Sequence, residues 1–174
     1  MQWQTNLPLI AILRGITPEE ALAHVGAAID AGFDAVEIPL NSPQWEKSIP
    51  AVVEAYGDKA LIGAGTVLNA ERVDQLARMG CRLIVTPNIQ PEVIRRAVSY
   101  GMTGCPGCAT ATEAFAALDA GATYFWSSSD RGQLLEGVEV VECETAGEQR
   151  EHAVAVASAG GQGAQHVCGG GGGE

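Results

Sequence analysis

One carboxylate is out of place in this sequence. Glu37 is the only charge in Ala35–Leu40 (AVEIPL), a short run that is otherwise apolar. Burying a lone carboxylate costs several kcal/mol, of the order of ~2–7 for a polar group and more for a charge, unless it is paired or protonated. Two readings follow. Glu37 is a structural partner for a cation such as Arg14, or it is a general acid/base whose pKa burial has raised. Arg14 itself directly ends an apolar run, Leu9–Leu13 (LIAIL). Its planar fork suits a carboxylate or phosphate, although a surface arginine near a helix start would look the same. Gly63-Ala64-Gly65-Thr66 places a hydroxyl behind two glycines. That arrangement lets backbone approach a ligand closely, or merely relieves packing within a strand. Thr86-Pro87-Asn88 closes another apolar run. Cys105-Pro106-Gly107-Cys108 has the spacing of a thiol-redox motif. A redox pair should open a helix, and Cys108 stands two residues before the nearest cap signal at Thr110. Two small core residues are therefore the better reading.

These residues need a scaffold, and the first 123 residues describe one. Apolar runs at Leu9–Leu13, Ala35–Leu40, Leu61–Val67, Leu83–Pro87 and Met102–Pro106 are continuous rather than alternating. Parallel strands buried on both faces read that way. Helix signals lie between them. Thr17-Pro18-Glu19-Glu20 is a capping box with proline at the first helical position. Leu22, Val25 and Ile29 follow at helical spacing. Ser42-Pro43 is expected to open a second helix in the same way, and Asn69 to cap a third. Val93, Ile94, Ala97 and Val98 share a face of a fourth, with Arg95 and Arg96 elsewhere. Thr110 and Glu113 open a fifth, with Phe115 and Leu118 expected to face inward. Gly32, Gly57, Gly80, Gly101 and Gly121 stand where the helices should stop in a left-handed residue. Five strand-then-helix units argue for a parallel α/β architecture, either a doubly wound sheet or a (β/α) barrel. No GxGxxG follows the first strand, which counts against dinucleotide binding. In a barrel, chemistry sits at the carboxyl ends of strands, where Arg14, Glu37 and Thr66 fall.

The composition changes near residue 124. Residues 124–174 contain no isoleucine, proline or lysine, whereas residues 1–123 contain ten isoleucines and all eight prolines. The later segment holds half of the 22 glycines and eight acidic residues against two basic ones. Val138–Cys143 could form a strand and Val154–Ala157 is a short apolar run. The rest reads as a weakly structured Gly-rich acidic tail. We therefore expect a barrel portion over 1–123 and a divergent tail over 124–174. Five units would leave a sheet edge where a sixth strand should pair.

The whole chain narrows the partners. A net charge of −11 offers little to neutralise nucleic acid. No run of 18 apolar residues suggests a membrane span, and MQWQTNLPLI has no basic region before an apolar stretch, so a cytoplasmic location is expected. The odd count of five cysteines suits reduced thiols. The three histidines are far apart, so no metal site and no cofactor are expected.

LPLIAILRGITPEEALAH, AGFDAVEIPLNSPQWEKSIP, LIGAGTVL, LIVTPN and CPGCATATEAFAALDAGA together resemble the phosphogluconate and phosphogalactonate class of 2-keto-3-deoxy sugar-acid aldolases. The resemblance covers residues 1 to about 122, and Asn41-Ser42-Pro43 looks like the galactonate branch. It implies a (β/α)8 barrel, here an incomplete one with five to six βα units and an atypical tail. It also implies a homotrimer and metal-free cleavage of a phosphorylated 2-keto-3-deoxy sugar acid to pyruvate and glyceraldehyde 3-phosphate. In such enzymes a strand-six lysine attacks the ketone, and the iminium serves as electron sink. By residue match Glu37 would shuttle protons, while Arg14 and Thr66 would hold the polar ends of the substrate. The strand-six motif should follow Ala120-Gly121-Ala122, but the chain reads Thr123-Tyr124-Phe125-Trp126-Ser127, with Trp126 about where lysine belongs. The only lysines are Lys47 and Lys59. The resemblance therefore implies an aldolase by descent whose activity depends on an absent nucleophile. The alternative is a catalytically dead, truncated or frameshifted remnant that binds a 2-keto acid weakly.

Overall fold

A computed structural model describes residues 9–127, 138–145 and 152–157. Strands and helices alternate through the first part: β1 (Ala11–Ile12), α1 (Pro18–Asp30), β2 (Ala35–Pro39), α2 (Trp45–Tyr56), β3 (Leu61–Gly65), α3 (Ala70–Arg78), β4 (Leu83–Thr86), α4 (Pro91–Ser99), β5 (Thr103–Pro106) and α5 (Ala111–Asp119). The five strands pair in sequential order and all in parallel. This is the strand order of a barrel wall, and it removes the doubly wound alternative, whose strand order reverses at a switch point.

Three more strands follow. β6 (Tyr124–Ser127), β7 (Val138–Thr145) and β8 (His152–Ala157) form an antiparallel sheet. Val138–Cys143, expected as a strand, lies in β7, and the short apolar run Val154–Ala157 lies in β8. Tyr124–Ser127, expected to belong to the weakly structured tail, is instead the strand β6, and residues 128–137, 146–151 and 158–174 lie outside the described residues. The edge beyond β5 is not left bare. Gly107 and Trp126 form a parallel bridge, and the Cys108 N–H donates to the Trp126 carbonyl at 2.8 Å.

The two faces of the parallel strands have different partners. Ala11, Leu13, Val36, Ile38, Ile62, Ala64 and Ile84 pack outward against Val25, Ile49, Val52, Val73 and Leu76 of the helices. Ile12, Ala35, Leu61, Leu83, Val85, Cys105 and Tyr124 pack inward on one another. The side-chain period of 2 is therefore present but hidden, because apolar residues cover both faces. Each fully buried Val, Leu or Ile contributes about 1.5–3 kcal/mol.

The helix ends show which local signals were strong. Glu20 Oε2 accepts from the Thr17 N–H at 3.2 Å, and Glu113 Oε2 accepts from the Thr110 N–H at 3.0 Å. Asn69 Oδ1 accepts from the Arg72 N–H at 2.9 Å. Ser42-Pro43 does not open α2. Its N-cap is Gln44, in a left-handed conformation at φ 50°. The physical reason is that the Ser42 hydroxyl is already engaged, accepting the Gly15 N–H at 3.0 Å. Gly32, Gly80, Gly101 and Gly121 have the expected positive φ. Gly57 is right-handed at φ −58°; a side chain there would instead press on the Val53 carbonyl. Phe115 is 69% exposed rather than inward, and Leu22 and Val98 are also exposed. Among the described residues no helix follows α5 to cover that flank. Val93, Ile94 and Ala97 are buried as expected.

Candidate active site

Glu37 sits in the middle of β2, two residues beyond Ala35 and on the same inward face. It is buried at 3% exposure. Burial pushes its carboxyl up from the usual 4.5 to about 8, against the opposing pull of Arg14 and of a hydrogen bond from the Gly65 backbone. Oε2 has no hydrogen-bond partner among the described residues. The carboxyl is therefore protonated at neutral pH, and one oxygen remains available to exchange its proton. That is the condition of a general acid/base tuned to work near neutrality.

The strands on either side shape the space around it. Glu37 lies in register with Gly63 of β3, and Pro39 with Gly65. A Cβ on Gly63 would collide with the Leu83 carbonyl, and one on Gly65 would overlap both oxygens of Glu37. The glycines of the GAG triplet thus have separate tasks, one toward β4 and one toward the acid. Thr66 follows with φ 56°. A β-branched residue in the left-handed region costs about 1–2 kcal/mol. Such strain at the end of β3, beside a buried acid, makes Thr66 a candidate site residue.

Arg14 is exposed just beyond β1, and its charge is felt at Glu37. The Leu13 N–H donates to the Glu37 carbonyl at 3.0 Å, which ties the end of β1 to β2. The Gly15–Ser42 bond then joins the loop after β1 to the loop after β2. Ser42 thus serves this tie rather than the helix start that Ser42-Pro43 suggests in the sequence. The usable signal was a serine beside a proline directly after a buried strand.

Further round the barrel mouth, Pro87, Asn88, Gly107, Cys108, Glu113 and Trp126 line a small open cleft. Thr86 is buried and donates to the Asn88 carbonyl at 2.6 Å, closing a turn rather than facing a ligand. Trp126 projects onto the inward face of β6 beside the interior cluster. Its indole Nε1 donates to the Thr86 carbonyl at 3.0 Å. A Cβ on Gly107 would come within 2.6 Å of the indole, so only glycine admits the ring there. Cys105 packs inward, whereas Cys108 packs outward with Ile94, Ala117 and Ala120. Their spacing in sequence does not create a shared face, and α5 begins only at Ala111.

Neither lysine reaches this interior. Lys47 lies exposed on α2, donating to Gln44 at 2.6 Å. Lys59 precedes β3, with its ammonium 5.8 Å from the centre of the Tyr56 ring, at the end of the barrel opposite Thr66. Among the described residues no group of three or more His, Cys, Asp or Glu side chains could hold a metal, and no helix is long and apolar enough to cross a membrane.

The likeness to known proteins agrees with this geometry. A family model described as KDPG and KHG aldolase matches residues 2–159, past the point near 122 where the quoted motifs end. The 2-dehydro-3-deoxy-6-phosphogalactonate aldolase of Escherichia coli (strain K12) is 76% identical over 81% of this chain and 70% of its own length. A solved structure described as native KDPGal is 81% identical with a TM-score of 0.74, over 75% of this chain and 64% of that one. The 2-keto-3-deoxy-6-phosphogluconate aldolase of Zymomonas mobilis ZM4, solved with 3-phosphoglycerate, is 30% identical with a TM-score of 0.61, over 67% of this chain and 55% of that one. The chain thus spans between about half and about two thirds of these relatives. A sequential parallel wall, an inward acid on its second strand and a match running from residue 2 to 159 lead to one conclusion: the chain belongs to the KDPG and KHG aldolase family.

Proposed function

We propose that this chain keeps the acid/base and carboxylate-binding half of a 2-keto-acid aldolase site but not the covalent half. The ligand is a 2-keto acid of the pyruvate type, or a phosphorylated 2-keto-3-deoxy sugar acid such as the one named for its Escherichia coli relative. The much higher identity to the galactonate relative than to the gluconate one favours the galactonate substrate. Glu37 is the proton shuttle, and Arg14 and Thr66 hold the ligand's anionic and hydroxyl ends. A homotrimer and a cytoplasmic location belong to the same reading.

The observation that carries the missing half is residue 126. Cleavage through an iminium needs an uncharged amine to attack the ketone. Trp126 occupies the inward position of β6, and its indole nitrogen, whose lone pair belongs to the ring, is spent as a donor to Thr86. The abrupt change of composition after Thr123 supports a break in the coding sequence, such as a frameshift, as the origin of the tail over 124–174.

Borohydride reduction in the presence of pyruvate tests the reading. The chain as it stands should give no covalent adduct by mass spectrometry, whereas Trp126→Lys should give one. An adduct on the unaltered chain would overturn the claim. Weak saturable binding of pyruvate by NMR titration, lost in Arg14→Ala, is expected in both chains; no binding at all would remove the ligand-holding half as well.

A further inference from the structure

We propose that Gly65 is the positioning residue for Glu37: its bare Cα is the seat on which the carboxyl rests, and no other residue type fits there while the acid is in place. The idea rests on the preceding section only for what Glu37 does to a ligand. The seat itself is a property of the folded chain and needs no ligand to be measured.

Three observations converge on it. Both carboxyl oxygens and Cδ of Glu37 occupy the space a Gly65 side chain would need. β1 and β3 flank Glu37 on both sides. Gly63, directly across from Glu37, is held against the Leu83 carbonyl, and Ile12 of β1 fills the other side. The Gly65 backbone also hydrogen-bonds the carboxyl, so the same residue supplies both the space and one polar contact, while Oε2 is left unpartnered among the described residues. Arg14 is the charge that acts on the group from the β1 side; Gly63 and Gly65 bring none from β3.

The backbone gives Gly65 no other reason to be glycine. Positive φ occurs at Thr66 next to it but not at Gly65 itself. Alanine at a strand position with ordinary φ is conformationally acceptable and restricts the unfolded chain more than glycine does. A penalty for Gly65→Ala must therefore come from the carboxyl. Gly63 is the internal control. A methyl there would strike backbone of β4, which no change at Glu37 can relieve.

The experiment is a double-mutant cycle in the full chain, read by urea unfolding. Gly65→Ala should destabilise the fold and so raise the unfolding equilibrium constant. In a Glu37→Ala background the new methyl enters vacated space, so the loss should shrink by tenfold or more in that constant. Gly63→Ala should cost the same with or without Glu37. A second readout follows the acid directly, by carboxyl-labelled NMR titration. Gly65→Ala should move the Glu37 midpoint by roughly one pH unit or more, and Gly63→Ala should not. Should Gly65→Ala fail to fold, recovery of folding in the Glu37→Ala double variant supports the seat, and failure of the double variant overturns it. Additive costs, or an unmoved midpoint, also overturn it. Coupling without any pyruvate binding would leave the seat standing and remove only the ligand reading.

Discussion

Replacing Glu37 by glutamine should change how the fold responds to pH, and the size of the change can be worked out. The folded-state carboxyl titrates at about 8 against an ordinary 4.5. Between those values the unfolded chain has released the proton and the folded chain has kept it. Folding then takes up a proton, so stability is fully present below 4.5 and is lost as pH rises, until the folded carboxyl also ionises near 8. Each pH unit is about 1.4 kcal/mol, so the full span amounts to about 5 kcal/mol and pH 7 to about 3. Against a typical domain stability of about 5–15 kcal/mol, that is a large fraction. Glutamine has nearly the same shape and cannot ionise. The stability difference, Glu37→Gln minus the unaltered chain, should therefore rise by about 5 kcal/mol across the window. Urea titrations at a series of pH values measure it, since the contributions of all other groups cancel in the difference. Arg14 opposes the shift, so Arg14→Ala should extend the upper end of the window above about 8. A difference that stays flat with pH would refute both the burial of the acid and the acid/base role built on it.

Three further variants test the frame around the site. Asn69→Ala removes the cap that accepts from Arg72 and should cost about 1 kcal/mol, roughly 3 °C in melting temperature. Gln90→Ala should cost only a few tenths of a kcal/mol, because the N-cap of α4 makes no side-chain cap bond. Trp126→Phe keeps most of the ring but loses the bond to Thr86, and should cost about 1 kcal/mol in urea unfolding. An unchanged stability would mean that the indole does not fasten β6 to β4.

The sequence made the βα alternation legible because each signal was local. A capping box, a proline at the first helical turn or a glycine at a left-handed stop is decided within four residues of itself. Ser42 failed as a helix start for a non-local reason: its hydroxyl is held by Gly15, 27 positions away. Phe115 failed because burial depends on what lies across from a helix, and helical spacing alone does not say which flank of α5 is covered. Glu37 was found because charge is rare in a buried strand. The role of Gly65 was not, since a glycine shows no property in a sequence except the absence of one.

The same reasoning explains why the inward face could be located at all. In a parallel wall both faces are apolar, so alternation disappears and the residues that break the run become the only markers of direction. Glu37, Gly63 and Gly65 all fall on the inward parity, and Gly107 and Trp126 continue it round the barrel through their bridge. Outward positions must pack against helices and accept bulk. Inward positions at the carboxyl ends must leave room, so they carry glycine, an acid or whatever fills the space instead. Trp126 belongs to the last kind. It is accepted because Gly107 gives way to it and Thr86 supplies an acceptor, and one parallel bridge joins it to the end of the β5 strand. Packing therefore tests residue 126 only for shape and one hydrogen bond, which is compatible with the proposed loss of a covalent step there, and turnover is what tests it for nucleophilicity.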